Sequence, residues 1–138
     1  MKKVCILIII TVLITGCGET AKNCGETMPY KDLSDSDIVS ATLELLPPDL
    51  KVELNADGIK KLTDILRTVE IYEEDDSYRD YVGQAVIYTI TMADGSVEKI
   101  MAYNPFIVIN DVGYKTKYES CEELNSLGNT IGETAFGK

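Results

Sequence analysis

The chain contains no histidine and no tryptophan. Without imidazole there is no Ser-His-Asp or Cys-His pair to activate a nucleophile, and no histidine metal site. Cysteine is scarce, with four in 138 residues. No Gly-x-x-x-x-Gly-Lys phosphate loop occurs. No segment reaches the roughly 20 consecutive apolar residues that a membrane-spanning helix needs. Positive charge is the last shortage: 13 Lys and Arg stand against 23 Asp and Glu, a net charge of −10. An acidic surface of this kind repels phosphate backbones, so no nucleic-acid partner is expected.

What is present begins at the N-terminus. Lys2 and Lys3 precede Val4 to Ile14, an eleven-residue stretch that is apolar but for Thr11. Its length and basic flank are those of a secretory signal core. It ends in Ile14-Thr15-Gly16-Cys17, which resembles the lipobox of bacterial lipoproteins. That resemblance implies cleavage after Gly16 and lipidation of Cys17. The chain would then be held at the extracytoplasmic face of the cell membrane by more than one acyl chain, since a single chain anchors only marginally. An ordinary signal peptide or an uncleaved anchor is the alternative.

Residues 1–16 are therefore expected to be a lipoprotein signal peptide, 17–36 a flexible tether and 37–138 a single domain. The tether expectation rests on the small, polar run from Gly18 to Ser36. Removing Lys2 and Lys3 leaves eleven basic residues against 23 acidic ones. With Cys5 in the leader and Cys17 lipidated, Cys24 and Cys121 remain. They are too few for a structural zinc site, and neither a metal nor a cofactor is expected. An oxidising setting permits a Cys24–Cys121 disulfide, and two separate thiols are the alternative.

The expected fold is α+β, an antiparallel sheet of about four to five strands. One main helix lies on one face and a short helix follows at the C-terminus. Val39, Ala41, Leu43 and Leu45 alternate with polar residues as in a half-buried strand, stopped by Pro47-Pro48. Asn55 is placed to cap a helix to about Val69, with Ile59, Leu62, Ile65, Leu66 and Val69 as its apolar stripe. Residues 84–103 read as a hairpin about Asp94-Gly95, with Ile90 opposite Ile100 and Tyr88 opposite Ala102. Residues 106–118 read as a second hairpin turning at Asn110-Asp111, both tolerant of positive φ. Ser120 to Glu123 has the form of a capping box, opening a short helix that Gly128 would stop.

Strand alternation in the second hairpin places Ile107, Ile109, Val112, Tyr114 and Thr116 on the core face. Phe106, Val108, Gly113, Lys115 and Lys117 fall on the other face, with Phe106 across from Lys115. Phe106, Val108, Lys115 and Lys117, extended by Tyr118, are thus a candidate partner-binding patch, apolar and basic on an acidic protein. The alternative tucks Phe106 into the core margin and leaves two solvated lysines. The connection from Tyr72 to Gly83 carries the only dense carboxylate cluster, Glu73-Glu74-Asp75-Asp76. It lacks the Asp-x-Asp-x-Asp-Gly spacing of a calcium loop, so a solvated loop competes with weak Ca²⁺ binding. Tyr78 and Tyr81 either face a ligand or pin this connection to the domain.

Three stretches, DIVSATLELLPPD, DDSYRDYVGQAVIYTITMADGS and MAYNPFIVINDVGYKTKYESCEELNSLGN, carry a further resemblance. Over Asp37 to Ile131 the chain resembles a domain of clostridial and related Gram-positive lipoproteins. It is also similar to the extracytoplasmic C-terminal part of some antibiotic-sensing, antirepressor-type zinc metallopeptidases. The resemblance implies an accessory module in envelope sensing. Peptidase activity does not follow, since that chemistry uses a His-Glu-x-x-His helix and this chain has no histidine. The expected function is a non-enzymatic, lipid-anchored surface domain that binds a protein, peptide or envelope component. A histidine-free cell-wall glycan hydrolase using paired carboxylates, or a structural accessory module, is the alternative.

Overall fold

The computed structural model describes residues 26–137; the expected leader 1–16, Cys17 and Cys24 lie outside them. Packing starts earlier than the expected boundary at Asp37. Thr27 exchanges both backbone hydrogen bonds with Ile71, at 3.0 and 2.8 Å. Tyr30 and Leu33 rest against the core. Residues 27–36 are therefore part of the domain rather than of a tether. Ser34 closes this segment by capping a 3₁₀ turn at Asp35–Asp37, its amide donating to Asp37 Oδ2 at 2.9 Å.

The first strand, β1 (Ile38–Leu46), buries Ala41, Leu43 and Leu45 as alternation requires. Val39 does not follow, and is 66% exposed. The register shifts between Ile38 and Ser40, so Val39 is the extra residue of a β-bulge. A short strand the sequence reading did not separate, β2 (Leu50–Glu53), folds back on β1. Its Lys51 and Glu53 point outward, charges that protect an open sheet edge from further pairing.

Asn55 caps α1 (Ala56–Leu66), its Oδ1 accepting from the Gly58 amide at 2.9 Å. The helix ends a turn before the expected Val69, although Val69 is fully buried. Leu62 and Leu66 are completely enclosed, each contributing about 1.5–3 kcal/mol by burial. A second unanticipated strand, β3 (Ile71–Glu74), follows. The chain then crosses the sheet through a 3₁₀ turn at Asp76–Asp80.

Next come β4 (Ala85–Met92) and β5 (Val97–Tyr103). Their register corrects the expected one by two residues: Ile90 faces Glu98, Tyr88 faces Ile100 and Val86 faces Ala102. The Met92 amide bonds the Ser96 carbonyl at 2.8 Å, closing a loop of Ala93, Asp94 and Gly95. A three-residue hairpin loop puts its positive-φ residue last; Gly95 takes that place with φ +87°. The parity of the expected pairing survives, so Tyr88, Ile90 and Ile100 still share the core face.

The second hairpin, β6 (Phe106–Ile109) and β7 (Val112–Thr116), has the expected register, with Ile107 opposite Tyr114 and Phe106 opposite Lys115. Asn110 and Asp111 turn it at φ 50° and 70°. Among the described residues seven strands form one antiparallel sheet in the order β2-β1-β4-β5-β6-β7-β3, larger than the expected four or five.

The chain ends in α2 (Tyr118–Ala135), an 18-residue helix rather than a short one. Ser120 is no N-cap: it lies inside the helix, and its hydroxyl donates to the Thr68 carbonyl at 3.2 Å. Gly128 does not stop the helix either. A β-carbon on Gly128 would overlap Val86 Cγ1, and one on Gly132 would lie 2.6 Å from Leu45 Cδ1. The two glycines, four residues apart on one face, let the helix lie close on the sheet. Both helices thus cover the same sheet face, closing a core of Leu43, Tyr88, Ile100, Ile107, Leu62 and Leu124. Among the described residues no helix is long and apolar enough to cross a membrane.

Candidate binding site

The expected patch is exposed only in part. Phe106 and Val108 are each only 3% exposed, because the crossing segment after β3 lies over the sheet face opposite the helices. The Asp75 amide bonds the Gly113 carbonyl at 2.9 Å, and the Gly113 amide bonds Asp76 Oδ1 at 2.9 Å. Gly113 has no room for a side chain: an added β-carbon would overlap the Asp75 carbonyl oxygen and come within 2.6 Å of the Tyr78 ring. Tyr81 stacks on Phe106, centroids 5.5 Å apart and planes inclined by 58°. Tyr78 and Tyr81 therefore pin this segment down, as the second reading of the sequence has it.

The two lysines are engaged as well. Lys115 pairs with Glu73 at 2.6 Å and Asp75 at 3.6 Å, and Glu73 above all holds its ammonium above the ordinary range. Lys117 pairs with Glu70 and, at 3.6 Å, with Glu26; its ammonium is raised chiefly by Glu70. Lys115, Lys117 and Tyr118 stay exposed, Tyr118 the most, at 60%. Of the carboxylate cluster, Glu73 and Asp75 are engaged by Lys115 and Asp76 by the Gly113 amide. Among the described residues, no three of Cys, Asp and Glu converge as metal ligands would.

Cys121 is fully buried, its thiol donating to the Phe106 carbonyl at 3.3 Å. Burial pushes the thiol up to about 12. The other half of the candidate disulfide, Cys24, lies outside the described residues.

The crossing segment instead walls a cavity of about 310 Å³ at one end of the sheet, beside the covered Phe106. Three elements meet there. The β5–β6 turn supplies Tyr103 and Asn104. One face of α2 supplies Glu122, Asn125 and Asn129, spaced three and four residues apart. The run into β4 supplies Tyr81 and Gln84. Gln84 Nε2 donates to the Pro47 carbonyl at 3.0 Å, tying this run to the end of β1. Asn104 Nδ2 donates to Glu122 Oε2 at 3.1 Å, joining turn to helix.

The chain holds six asparagines and one glutamine, and four of these seven amides line this one cavity. Much of their hydrogen-bonding capacity is unused. Asn104 Oδ1 is buried and finds no donor among the described residues. Among the described residues, Asn125 Nδ2 makes only a long contact to Cys121 Sγ, at 3.9 Å. An amide offers two donors and an acceptor, so the cavity can bind groups that both give and accept hydrogen bonds. Glu122 is its only ionisable carboxylate.

A second groove, about 320 Å³, lies between β2, α1 and the end of α2. It contains Glu53 and Asp57, both exposed, with Asp57 paired to Lys61 at 2.8 Å.

No family model matches the chain, and no curated protein or solved structure is found similar to it.

Sequence reading missed the amide cavity because Gln84, Asn104, Asn125 and Asn129 stand far apart in the chain. The available signal was composition. Seven amides in an acidic protein are few, and the Asn125 and Asn129 pair falls on one helical face.

Proposed function

We propose that this protein is a non-enzymatic, lipid-anchored extracytoplasmic domain that binds an envelope component in its amide-lined cavity. The observation that carries the binding half is the convergence of four of the chain's seven side-chain amides and two tyrosines on one cavity. The anchoring half rests on the lipobox-like Ile14-Thr15-Gly16-Cys17 behind a signal-like core. The resemblance to Gram-positive lipoprotein domains fits both, as a module in envelope sensing.

Binding is favoured over glycan hydrolysis on the carboxylates. A hydrolase sets two of them about 5–10 Å apart and keeps one protonated, commonly by burial. The amide cavity has Glu122 alone, and the carboxylates of the other grooves, Glu53 and Asp57 in one and Asp64, Glu122 and Glu123 in another, are exposed to water.

The test uses the full-length chain expressed in a Gram-positive host. Labelled palmitate is expected to mark the protein and to be lost on Cys17→Ala; an unlabelled wild type removes the anchor. The unlipidated Cys17→Ala protein is expected to bind isolated cell envelopes saturably. Binding that does not saturate removes the ligand-binding reading.

A further inference from the structure

We infer that the amide cavity takes a short, neutral saccharide, an inference that rests on the binding role proposed above. A sugar hydroxyl is donor and acceptor at once, and so is a side-chain amide. The cavity offers Gln84, Asn125 and Asn129 on two of its walls, with the Glu122 carboxylate as a further acceptor. The side chain of Asn129 makes no hydrogen bond among the described residues, although it is half-buried. Tyr81 and Tyr103 add what sugars also need, an apolar ring face beside a polar edge for the C–H surface of a pyranose. Phe106 braces Tyr81 from beneath.

Other ligand classes fit less well. An anion would find no lysine or arginine in the cavity, on a protein of net charge −10. A metal or organic cation would find one carboxylate, already accepting from Asn104. An apolar ligand would strip water from four amides and give nothing back. An extended peptide docks best by adding a strand to an open sheet edge. Here the cavity sits at the ends of β4, β5 and β6, which are interior strands with both edges paired. At about 310 Å³ the space lies at the lower end of the roughly 300–1,000 Å³ of small-molecule sites, as a short saccharide requires.

The scarcity of amides gives a direct test. Full-length ¹⁵N-labelled protein in detergent micelles has only seven side-chain NH₂ groups: the four of the cavity, and Asn23, Asn55 and Asn110 elsewhere. Asn55 borders the second groove and so reports on binding there. The protein is titrated with N,N′-diacetylchitobiose, with maltose and with the dipeptide Ala-Ala. Saturable shifts of the Gln84, Asn104, Asn125 and Asn129 signals by either sugar, with the other three still, support the proposal. Asn129→Ala should then weaken that sugar at least tenfold while leaving the Asn55 and Asn110 signals in place. Shifts at the cavity with Ala-Ala alone overturn the saccharide assignment but leave the binding role standing. Movement of all seven signals together, or of none with any probe, overturns the assignment and takes the cavity out of the binding role.

Discussion

The Tyr88 hydroxyl, on the interior strand β4, donates to the Leu124 carbonyl of α2 across 2.7 Å in the closed core. It ties sheet to helix beside Gly128, where an added β-carbon would come within 3.2 Å of the same hydroxyl. Tyr88→Phe is expected to cost about 0.5–1.5 kcal/mol, the usual net worth of such a bond. Urea unfolding followed by far-ultraviolet circular dichroism measures it.

Gly128→Ala should do more harm than Gly132→Ala. An exposed helical Gly→Ala change gains about 1 kcal/mol in propensity. At Gly128 the new methyl meets the β-branched Val86, with Leu43 Cδ1 and the Tyr88 oxygen both 3.2 Å away. Overpacking of that kind costs about 1–3 kcal/mol, so a net loss is expected. At Gly132 the neighbour is the movable end of Leu45, and the change should be near neutral. Equal effects in the two variants would mean that the close approach at Gly128 is not what sets the helix on the sheet.

Gly113→Ala should lift the segment from Asp75 to Gln84 off the sheet without unfolding the domain. The added methyl has no place beside the Asp75 carbonyl and the Tyr78 ring. Trypsin is then expected to cut after Arg79 faster than in the wild type, with the melting transition still cooperative. Unchanged cleavage would mean that the segment is held by other contacts.

Stability should fall in alkali. Burial raises the Cys121 thiol from 9.0 to about 12 and raises the Tyr88 phenol above 10.0. Tyr30 shifts the same way, through burial and then the Glu98 carboxylate that accepts from its hydroxyl at 3.5 Å. In each case the folded state holds its proton more tightly than the unfolded chain. The stability involved is fully present below the unfolded value and is lost as pH rises through the folded one. Urea midpoints should therefore decline from about pH 9 to 12. Cys121→Ala should flatten the first part of that decline, even though it lowers stability at neutral pH by leaving a small cavity. A decline of the same steepness in both proteins would clear Cys121 of the effect.

Parts of this fold are legible in the sequence because local chemistry leaves one choice. Asn110-Asp111 accepts positive φ at both central positions, and alternation on either side then admits one register for the hairpin. The neighbouring hairpin is less determined, since Asp94-Gly95 fits more than one loop and only the Met92–Ser96 pairing selects among them. Strands β2 and β3 are hidden for a different reason. They are edge strands, and along β3 only Ile71 is buried, so no alternating pattern marks it.

Glycine in a helical pattern reads as a stop. Gly128 is instead explained by Val86 beneath it, a contact 42 residues away in sequence. The burial of Phe106 and Val108 comes from the same kind of long-range contact. Alternation correctly separates Phe106 and Val108 from the helix-covered core, but does not reveal that Tyr81 covers the opposite face.

The most direct measurement sets the two surfaces against each other in one assay. Unlipidated Cys17→Ala protein is bound to isolated cell envelopes beside two variants made in the same background. One carries Gln84→Ala and Asn129→Ala in the cavity, the other Lys117→Gln and Tyr118→Ala on the outer surface. Retention is expected to fall at least tenfold with the first pair and to stay within twofold with the second. Retention lost with Lys117 and Tyr118 but kept without the two amides would contradict the cavity as the binding site.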